Sequence, residues 1–264
     1  MQPLGQHFLK DKKVLEKIAD SLNISSQDII VEVGPGHGEL TQYILEESPK
    51  KIIAIEKDKD LVSSIQYLVS ENDNLEVIEG DALKILPTIS KTYNLKSFTF
   101  KIVGNIPYYI TGKLLRVMGE LAHKPDLIIL TIQKEVAERL CAEPPKMNLL
   151  AASVRFWGEP EIVKTVSRNA FRPRPKVESA IIRITPRKDP KNQEEIQKYY
   201  NFIKALFKQP RKTILNNLVE GSNYTKQEVE NFLKSRGIEP KLRPQNLDAD
   251  TINNLSQSFY KDAL

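Results

Sequence analysis

The sequence predicts an α/β fold, a doubly wound parallel sheet followed by a small all-α domain. Three observations carry that reading. Short apolar runs alternate with amphipathic stretches of helical period from residue 12 to residue 141. The first such run passes into a glycine-rich turn, Gly34-Pro35-Gly36-His37-Gly38. After Pro186 the alternation stops and only helical periods remain. The expected division is 1–187 for the sheet domain and 188–264 for the helical one, with Thr185 to Pro190 as linker.

The elements follow in order. Val14, Leu15, Ile18, Ala19 and Leu22 recur at helical spacing after Asp11, a capping residue type. Ile29 to Val33 is a continuous β-branched run and reads as a buried parallel strand. A helix through Leu40, Ile44 and Leu45 comes next, then a strand from Lys51 to Ile55 that ends in Glu56. Asp58 to Val69 reads as one helix, and Leu75 to Ile78 as a strand closed by Gly80-Asp81. Phe98 to Val103 is the fourth strand, followed by a helix from Thr111 to Leu121. Leu127 to Ile132 is the fifth, with a helix from Lys134 to Cys141. Asn148 to Trp157 looks helical. Ile162 to Val166 and Ala180 to Ile184 suggest an antiparallel hairpin on the sheet edge. Helices are expected around Glu194–Phe207, Lys212–Val219, Lys226–Ser235 and Ala249–Tyr260.

Composition bounds the function. Hydrophobic content of 40% and charged content of 28% are ordinary for a globular chain. The net charge of +5 is compatible with a nucleic-acid partner and equally with solvated lysines. One cysteine, Cys141, excludes an internal disulfide and a cysteine metal cluster. His37 and His123 have no metal-ligand spacing, so no metal is expected. No run of about 18 apolar residues and no signal-peptide pattern is present, so the expectation is a cytoplasmic protein with no membrane partner.

The strand ends carry the chemistry. The glycines are spaced G-x-G-x-G, and Glu39 stands where the dinucleotide fingerprint wants its last glycine. That disfavours a nicotinamide dehydrogenase, and the absence of Gly-Lys-Ser/Thr disfavours a P-loop. Glu56 lies about 20 residues on, where an acid holds ribose hydroxyls. Asp81 ends the third strand, where its carboxylate or neighbouring backbone meets an adenine amine. Each acid alone is as easily a solvated strand end, and the loop alone a structural turn. Together they describe an acidic, lysine-free pocket for a nucleoside without phosphates, which S-adenosylmethionine fits. At the fourth strand end, Asn105-Ile106-Pro107-Tyr108 offers two acceptors for an adenine N6 amine, the Asn105 side-chain oxygen and the Ile106 carbonyl. Pro107 fixes the turn and Tyr108 stacks on the base. Downstream, Phe171 sits in a proline-stiffened loop where Lys164, Arg168, Arg172, Arg174, Lys176, Arg183, Arg187 and Lys188 face only Glu178. Such a loop suits an RNA backbone, or is a solvated basic face.

With these residues in view the chain resembles the KsgA (RsmA) family of small-subunit ribosomal RNA adenine dimethyltransferases over nearly its whole length. The marks are Gly5-Gln6-His7-Phe8-Leu9, Glu32-Val33-Gly34-Pro35-Gly36-His37-Gly38-Glu39-Leu40-Thr41, Ile55-Glu56-Lys57-Asp58 and Gly80-Asp81-Ala82-Leu83. To these add Gly104-Asn105-Ile106-Pro107-Tyr108-Tyr109-Ile110-Thr111, Gln133-Lys134-Glu135-Val136 and Phe171-Arg172-Pro173-Arg174-Pro175-Lys176-Val177-Glu178-Ser179-Ala180. The resemblance implies a Rossmann-like class I S-adenosylmethionine-dependent methyltransferase sheet and a helical C-terminal domain that assists rRNA binding. It implies dimethylation of two adjacent adenines near the 3′ end of 16S rRNA in the immature 30S subunit, by a monomer. The cofactor would touch His7, Leu9, Gly34, Gly36, Glu56, Asp81 and Asn105. Asn105, Pro107, Tyr108 and Phe171 would act on the adenine, which would lie between Tyr108 and Phe171. His7 replaces a frequent Asn and Glu178 a frequent Asp. Two alternatives stay open: a 23S rRNA adenine methyltransferase of the macrolide-resistance type, and an assembly factor of the 30S subunit that acts mainly by binding.

Overall fold

The computed structural model describes residues 6–189 and 191–262; Gly5 and Pro190 of the stretches quoted above lie outside them. The chain begins with a short strand, β1 (Phe8–Leu9), and helix α1 (Lys12–Leu22). Asp11 starts α1 by accepting the Val14 N–H, and Val14, Leu15, Ile18 and Leu22 form its buried face. β2 (Ile29–Val33), α2 (Glu39–Glu46) and β3 (Lys51–Glu56) follow. The helix expected over 58–69 is two, α3 (Lys59–Ser64) and α4 (Gln66–Glu71), divided at the fully buried Ile65. β4 (Leu75–Glu79) then leads into α5 (Ala82–Thr92), for which the sequence pattern names no element. Pro87 in its interior hides it, because proline normally breaks a helix.

β5 (Phe100–Asn105), α6 (Thr111–Glu120), β6 (Leu127–Gln133), α7 (Lys134–Leu140) and α8 (Leu149–Arg155) come next. The remaining strands are β7 (Gly158–Val166), β8 (Phe171–Arg172) and β9 (Ser179–Pro186). Seven strands form one sheet in the order β4-β3-β2-β5-β6-β9-β7. The first five in that order are parallel; β9 is antiparallel to β6 and β7 to β9, so the expected hairpin closes one edge. The strand order reverses between β2 and β5, and the crevice at such a switch point is where doubly wound sheets bind ligands. Gly104 permits the approach there, since a Cβ on it would lie 2.4 Å from the Val33 carbonyl oxygen. No helix among the described residues is long and apolar enough to cross a membrane.

Contacts divide the chain into two units: 1–138 with 158–186, and 139–157 with 187–264. The second boundary falls beside the expected 187/188 division. The stretch 139–157, assigned to the sheet domain from its place in the sequence, clusters with the helices instead. The second unit holds α8, α9 (Gln193–Leu206), α10 (Ile214–Glu220), α11 (Lys226–Lys234) and α12 (Ala249–Asp262). Phe156 stacks on Tyr199 with ring centroids 3.9 Å apart, and the Tyr199 hydroxyl donates to the Ala152 carbonyl at 2.8 Å. Phe259 takes Phe202, Tyr224 and Phe232 edge-on.

Beneath the sheet, Lys101 Nζ meets Asp28 Oδ2 and the Asn23 carbonyl, each at 2.6 Å, with only 10% and 3% of the two side chains exposed. Removing one member of a buried pair leaves the other charge unpaired. Lys101→Met is therefore expected to lower stability by about 3–5 kcal/mol, read as the shift in urea midpoint, and adding Asp28→Asn to recover part of the loss.

Candidate active site

At the end of β2, Gly34 and Gly36 hold φ of 71° and 62°, left-handed conformations that glycine adopts without steric cost. A Cβ on Gly36 would lie 3.0 Å from the Phe8 ring, so the loop is shaped to seat that ring. Phe8 also tilts against His37, with centroids 4.6 Å apart. Glu56, at the end of β3, is 4% exposed. Its Oε2 accepts the Gly36 N–H at 3.2 Å, and its Oε1 accepts the Lys57 and Asp58 N–H groups at 2.8 and 2.9 Å. Burial pushes its carboxyl up, while those three donors act the other way.

Asp81 caps α5 through Oδ1, and its Oδ2 accepts from Lys57 Nζ at 3.1 Å. Partial burial favours the neutral acid, but the Lys57 and Leu83 donors and the Lys57 and Lys84 charges outweigh it and hold the carboxyl below the usual range. The pocket is thus not lysine-free. Lys57, next to Glu56 in the chain, reaches along the pocket to Asp81.

Two clefts open on this edge. The larger is lined by Gln6 to Leu9, the glycine loop, Glu32, Glu56 and Asn105 to Tyr108. The smaller is lined by Glu56, Lys57, Gly80, Asp81, Pro107 and Tyr109 among others. They share Gln6, Gly34, Glu56 and Pro107, so they adjoin along one stretch of the edge, from Asp81 to Asn105. His7, Leu9, Gly34, Gly36, Glu56, Asp81 and Asn105 all lie on it. Carboxyls at Glu32, Glu56 and Asp81, a backbone cradle at the glycines and an apolar wall at Leu9 fit S-adenosylmethionine, a nucleoside with a cationic arm.

Asn105 Nδ2 donates to the His7 carbonyl at 2.8 Å. A carbonyl only accepts, so the amide nitrogen is committed there and the side-chain oxygen is left for a ligand. The Ile106 N–H donates to the Thr131 carbonyl at 3.1 Å, and the Ile110 N–H to Pro107 at 3.1 Å, which together hold the turn. Tyr108 shares a 2.8 Å hydrogen bond with the buried Ser179 hydroxyl. Burial raises its phenol, against the Ser179 bond, and keeps it neutral.

The N-terminal segment is held in place by the loop that carries Phe171. β1 pairs antiparallel with β8, matching Phe8 to Arg172 and Leu9 to Phe171. His7 Nδ1 donates to the Pro173 carbonyl at 2.8 Å, and the Lys10 N–H to Ala170 at 2.8 Å. Phe171 itself departs from expectation. It is 1% exposed and belongs to the core with Leu9, Val14 and Ile18. It presents no open face opposite Tyr108, because pairing with the distant β1, which no local pattern reveals, turns its ring inward. Arg172, Arg174 and Lys176 of the same loop remain exposed.

Glu32, Phe8 and Ser179 also shape the site, though the sequence marks them only as members of longer motifs. Glu32 is 1% exposed, lines the larger cleft and accepts the Thr41 hydroxyl at 2.7 Å.

The sequence profile described as "Ribosomal RNA adenine dimethylase" matches residues 2–261. The chain is 37% identical over 261 residues to a Clostridium botulinum protein named ribosomal RNA small subunit methyltransferase A, covering 97% of this chain and 93% of that one. Among solved structures, a dimethyladenosine transferase from Plasmodium falciparum superposes with a TM-score of 0.81 at 28% identity, covering 98% and 99% of the two chains. The 23S rRNA methyltransferase ErmE gives 0.74 at 25% identity, covering 96% and 100%.

Burial pushes the Glu32 carboxyl up to about 7, with Thr41 opposing and the Glu39 and Glu56 charges adding to the rise. An acid raised in the folded state stabilises the fold fully below its unfolded value of 4.5, and that contribution is lost as pH rises through about 7. Urea unfolding followed from pH 4.5 to 8 is expected to show a loss of about 3 kcal/mol from this group, absent in Glu32→Gln.

Proposed function

The chain belongs to the ribosomal RNA adenine dimethylase family, and on that premise we propose the adenines it modifies and the residues that act. It is an S-adenosylmethionine-dependent rRNA adenine dimethyltransferase of the class I fold. The substrate in our reading is a pair of adjacent adenines in a hairpin near the 3′ end of 16S rRNA, methylated on N6 during late assembly of the 30S subunit. The observation that carries the target-base geometry is the fixed amide of Asn105, whose nitrogen is held by His7. The protein works in the cytoplasm as a monomer, and its 188–264 region assists rRNA docking through Arg211, Lys212, Arg236, Lys241 and Arg243.

S-adenosylmethionine supplies an electrophilic methyl group when bound. The chain's part is to place an amine against it. The lone pair of adenine N6 is spread into the ring. The Asn105 oxygen and the Ile106 carbonyl accept the two N6 hydrogens and draw that lone pair back onto nitrogen. Pro107 sets the direction of the Ile106 carbonyl. Tyr108, tethered by Ser179, presents its ring face to the base, and stacking of about 1–3 kcal/mol offsets the cost of unstacking the nucleotide. Orientation supplies most of the rate, and no strong base is needed. Phe171 acts from beneath, packed against Leu9, by holding the N-terminal segment that pins Asn105. Glu56 receives the ribose hydroxyls and Asp81 the donor's amine, with Lys57 giving way.

The likeness to ErmE favours one second reading, a 23S rRNA target. The small-subunit name of the Clostridium relative weighs against it. Purified protein is expected to methylate immature 30S particles, with mass mapping locating four methyl groups on one hairpin fragment; activity on naked 23S RNA alone would overturn the assignment. Asn105→Ala is expected to cut the single-turnover rate by on the order of a hundredfold or more while RNA binding persists. Retained dimethylation would refute the acceptor role.

A further inference from the structure

Thr131 stands next to Asn105 in the sheet. The register of β5 on β6 pairs the two residues directly, so their side chains leave the same face about 5 Å apart, the spacing of adjacent strands. On its other side β9 pairs Thr131 with Ile181, which is fully buried and apolar. Thr131 is 1% exposed, and its hydroxyl has no hydrogen-bond partner. A buried hydroxyl without a partner is unfavourable, and valine would fill the same space without that cost. The Thr131 carbonyl accepts the Ile106 N–H at 3.1 Å, so the backbone here is fixed and only the side chain is left to turn. The polar side chain that the register places beside it is Asn105. The Asn105 nitrogen is held by His7, and no group among the described residues donates to its oxygen. Ser179, on the same face of β9, is already shared with Tyr108.

Methylation changes what the target amine offers this oxygen. An unmodified adenine N6 carries two hydrogens, one for the Asn105 oxygen and one for the Ile106 carbonyl. In each transfer the N6 lone pair bonds to the methyl carbon, the donor's carbon–sulfur bond breaks with its electrons going to sulfur, and one N6 proton passes to water. After the first transfer one hydrogen is left for two acceptors. After the second none is left. A site that dimethylates must therefore work with an acceptor that its substrate no longer fills.

We propose that Thr131 is a positioning residue for the second methyl transfer, its hydroxyl turning to donate to the Asn105 oxygen once the methylated amine no longer does. The inference rests on the rRNA adenine reading above. An amide oxygen accepts along two lone pairs, so Thr131 does not compete with the hydrogen of an unmodified amine. A single torsion, χ1, carries the hydroxyl between its staggered positions. With Thr131 as donor the amide keeps a partner at each end, His7 at the nitrogen and Thr131 at the oxygen. It holds its direction while the monomethylated base receives its second methyl, and it is not left unsatisfied against the finished product.

The test is a time course of the full chain on immature 30S particles, in which mass mapping separates monomethylated from dimethylated adenine. Thr131→Val is expected to slow the second transfer about tenfold more than the first, the scale of one unsatisfied buried acceptor, so that the monomethylated base accumulates. Thr131→Ser keeps the hydroxyl and is expected to restore the wild-type ratio. Filter binding without the donor gives a second readout: Thr131→Val is expected to hold fully methylated particles about tenfold more weakly than the wild type does, with no such loss on unmethylated ones. Equal slowing of both transfers, a wild-type ratio in Thr131→Val, no rescue by serine, or unchanged affinity for methylated particles overturns the role of Thr131 and leaves the adenine reading intact. Failure of the wild-type chain to dimethylate adenine overturns both.

Discussion

The hydrogen bond from the Asn105 amide to the His7 carbonyl is the contact on which the site depends. It joins the end of β5 to a segment almost a hundred positions earlier, and it decides which way the amide faces. His7 in turn is positioned by the loop after β8, through its ring at Pro173 and through the β1–β8 pairing. Three stretches that are remote in sequence thereby become one wall. A change in any of them reaches the others: loosening Phe171 frees Leu9, and loosening Leu9 frees the carbonyl that orients Asn105. The Phe8 ring on the Gly36 cradle extends the same wall to the donor side.

Electrostatics along the two clefts follow from unequal desolvation. Glu32 and Glu56 lose water when the strands pack, and both are pushed toward the neutral acid. Asp81 moves the other way because Lys57 answers its charge. A cationic ligand arriving beside Glu32 and Glu56 restores a reason for them to ionise.

Much of this was legible in the residues. The parallel strands announce themselves as β-branched runs, and their shared direction places Gly34, Glu56, Asp81 and Asn105 at one edge. The edge hairpin is legible for the same reason. What the sequence withheld depends on pairing across long separations or on exceptions to local rules. α5 is hidden by Pro87, whose propensity is overridden by the Asp81 cap and by packing of Leu86 and Ile89. Phe171 reads as an exposed loop aromatic because its partner, Leu9, lies at the other end of the sheet domain's sequence. Lys57 reads as a solvated neighbour of Glu56, since nothing local says that its side chain runs to Asp81. The Asn105 oxygen is legible as an acceptor, but its fixed direction comes from the His7 carbonyl, a backbone group that no residue type reveals.

The helical unit is built from two separated pieces of chain, 139–157 and 187–264, with β7, β8 and β9 made between them. During synthesis Phe156 leaves the ribosome well before Tyr199, the ring it stacks on, and β6 waits for β9 before its outer edge is paired. Neither unit can finish by simply following the emerging N-terminus, as consecutive domains do. The Asn105 amide likewise gains its full support only after the Phe171 loop has been made. A nascent chain of this enzyme therefore lacks the wall that holds His7 until the loop of residues 171–173 has emerged.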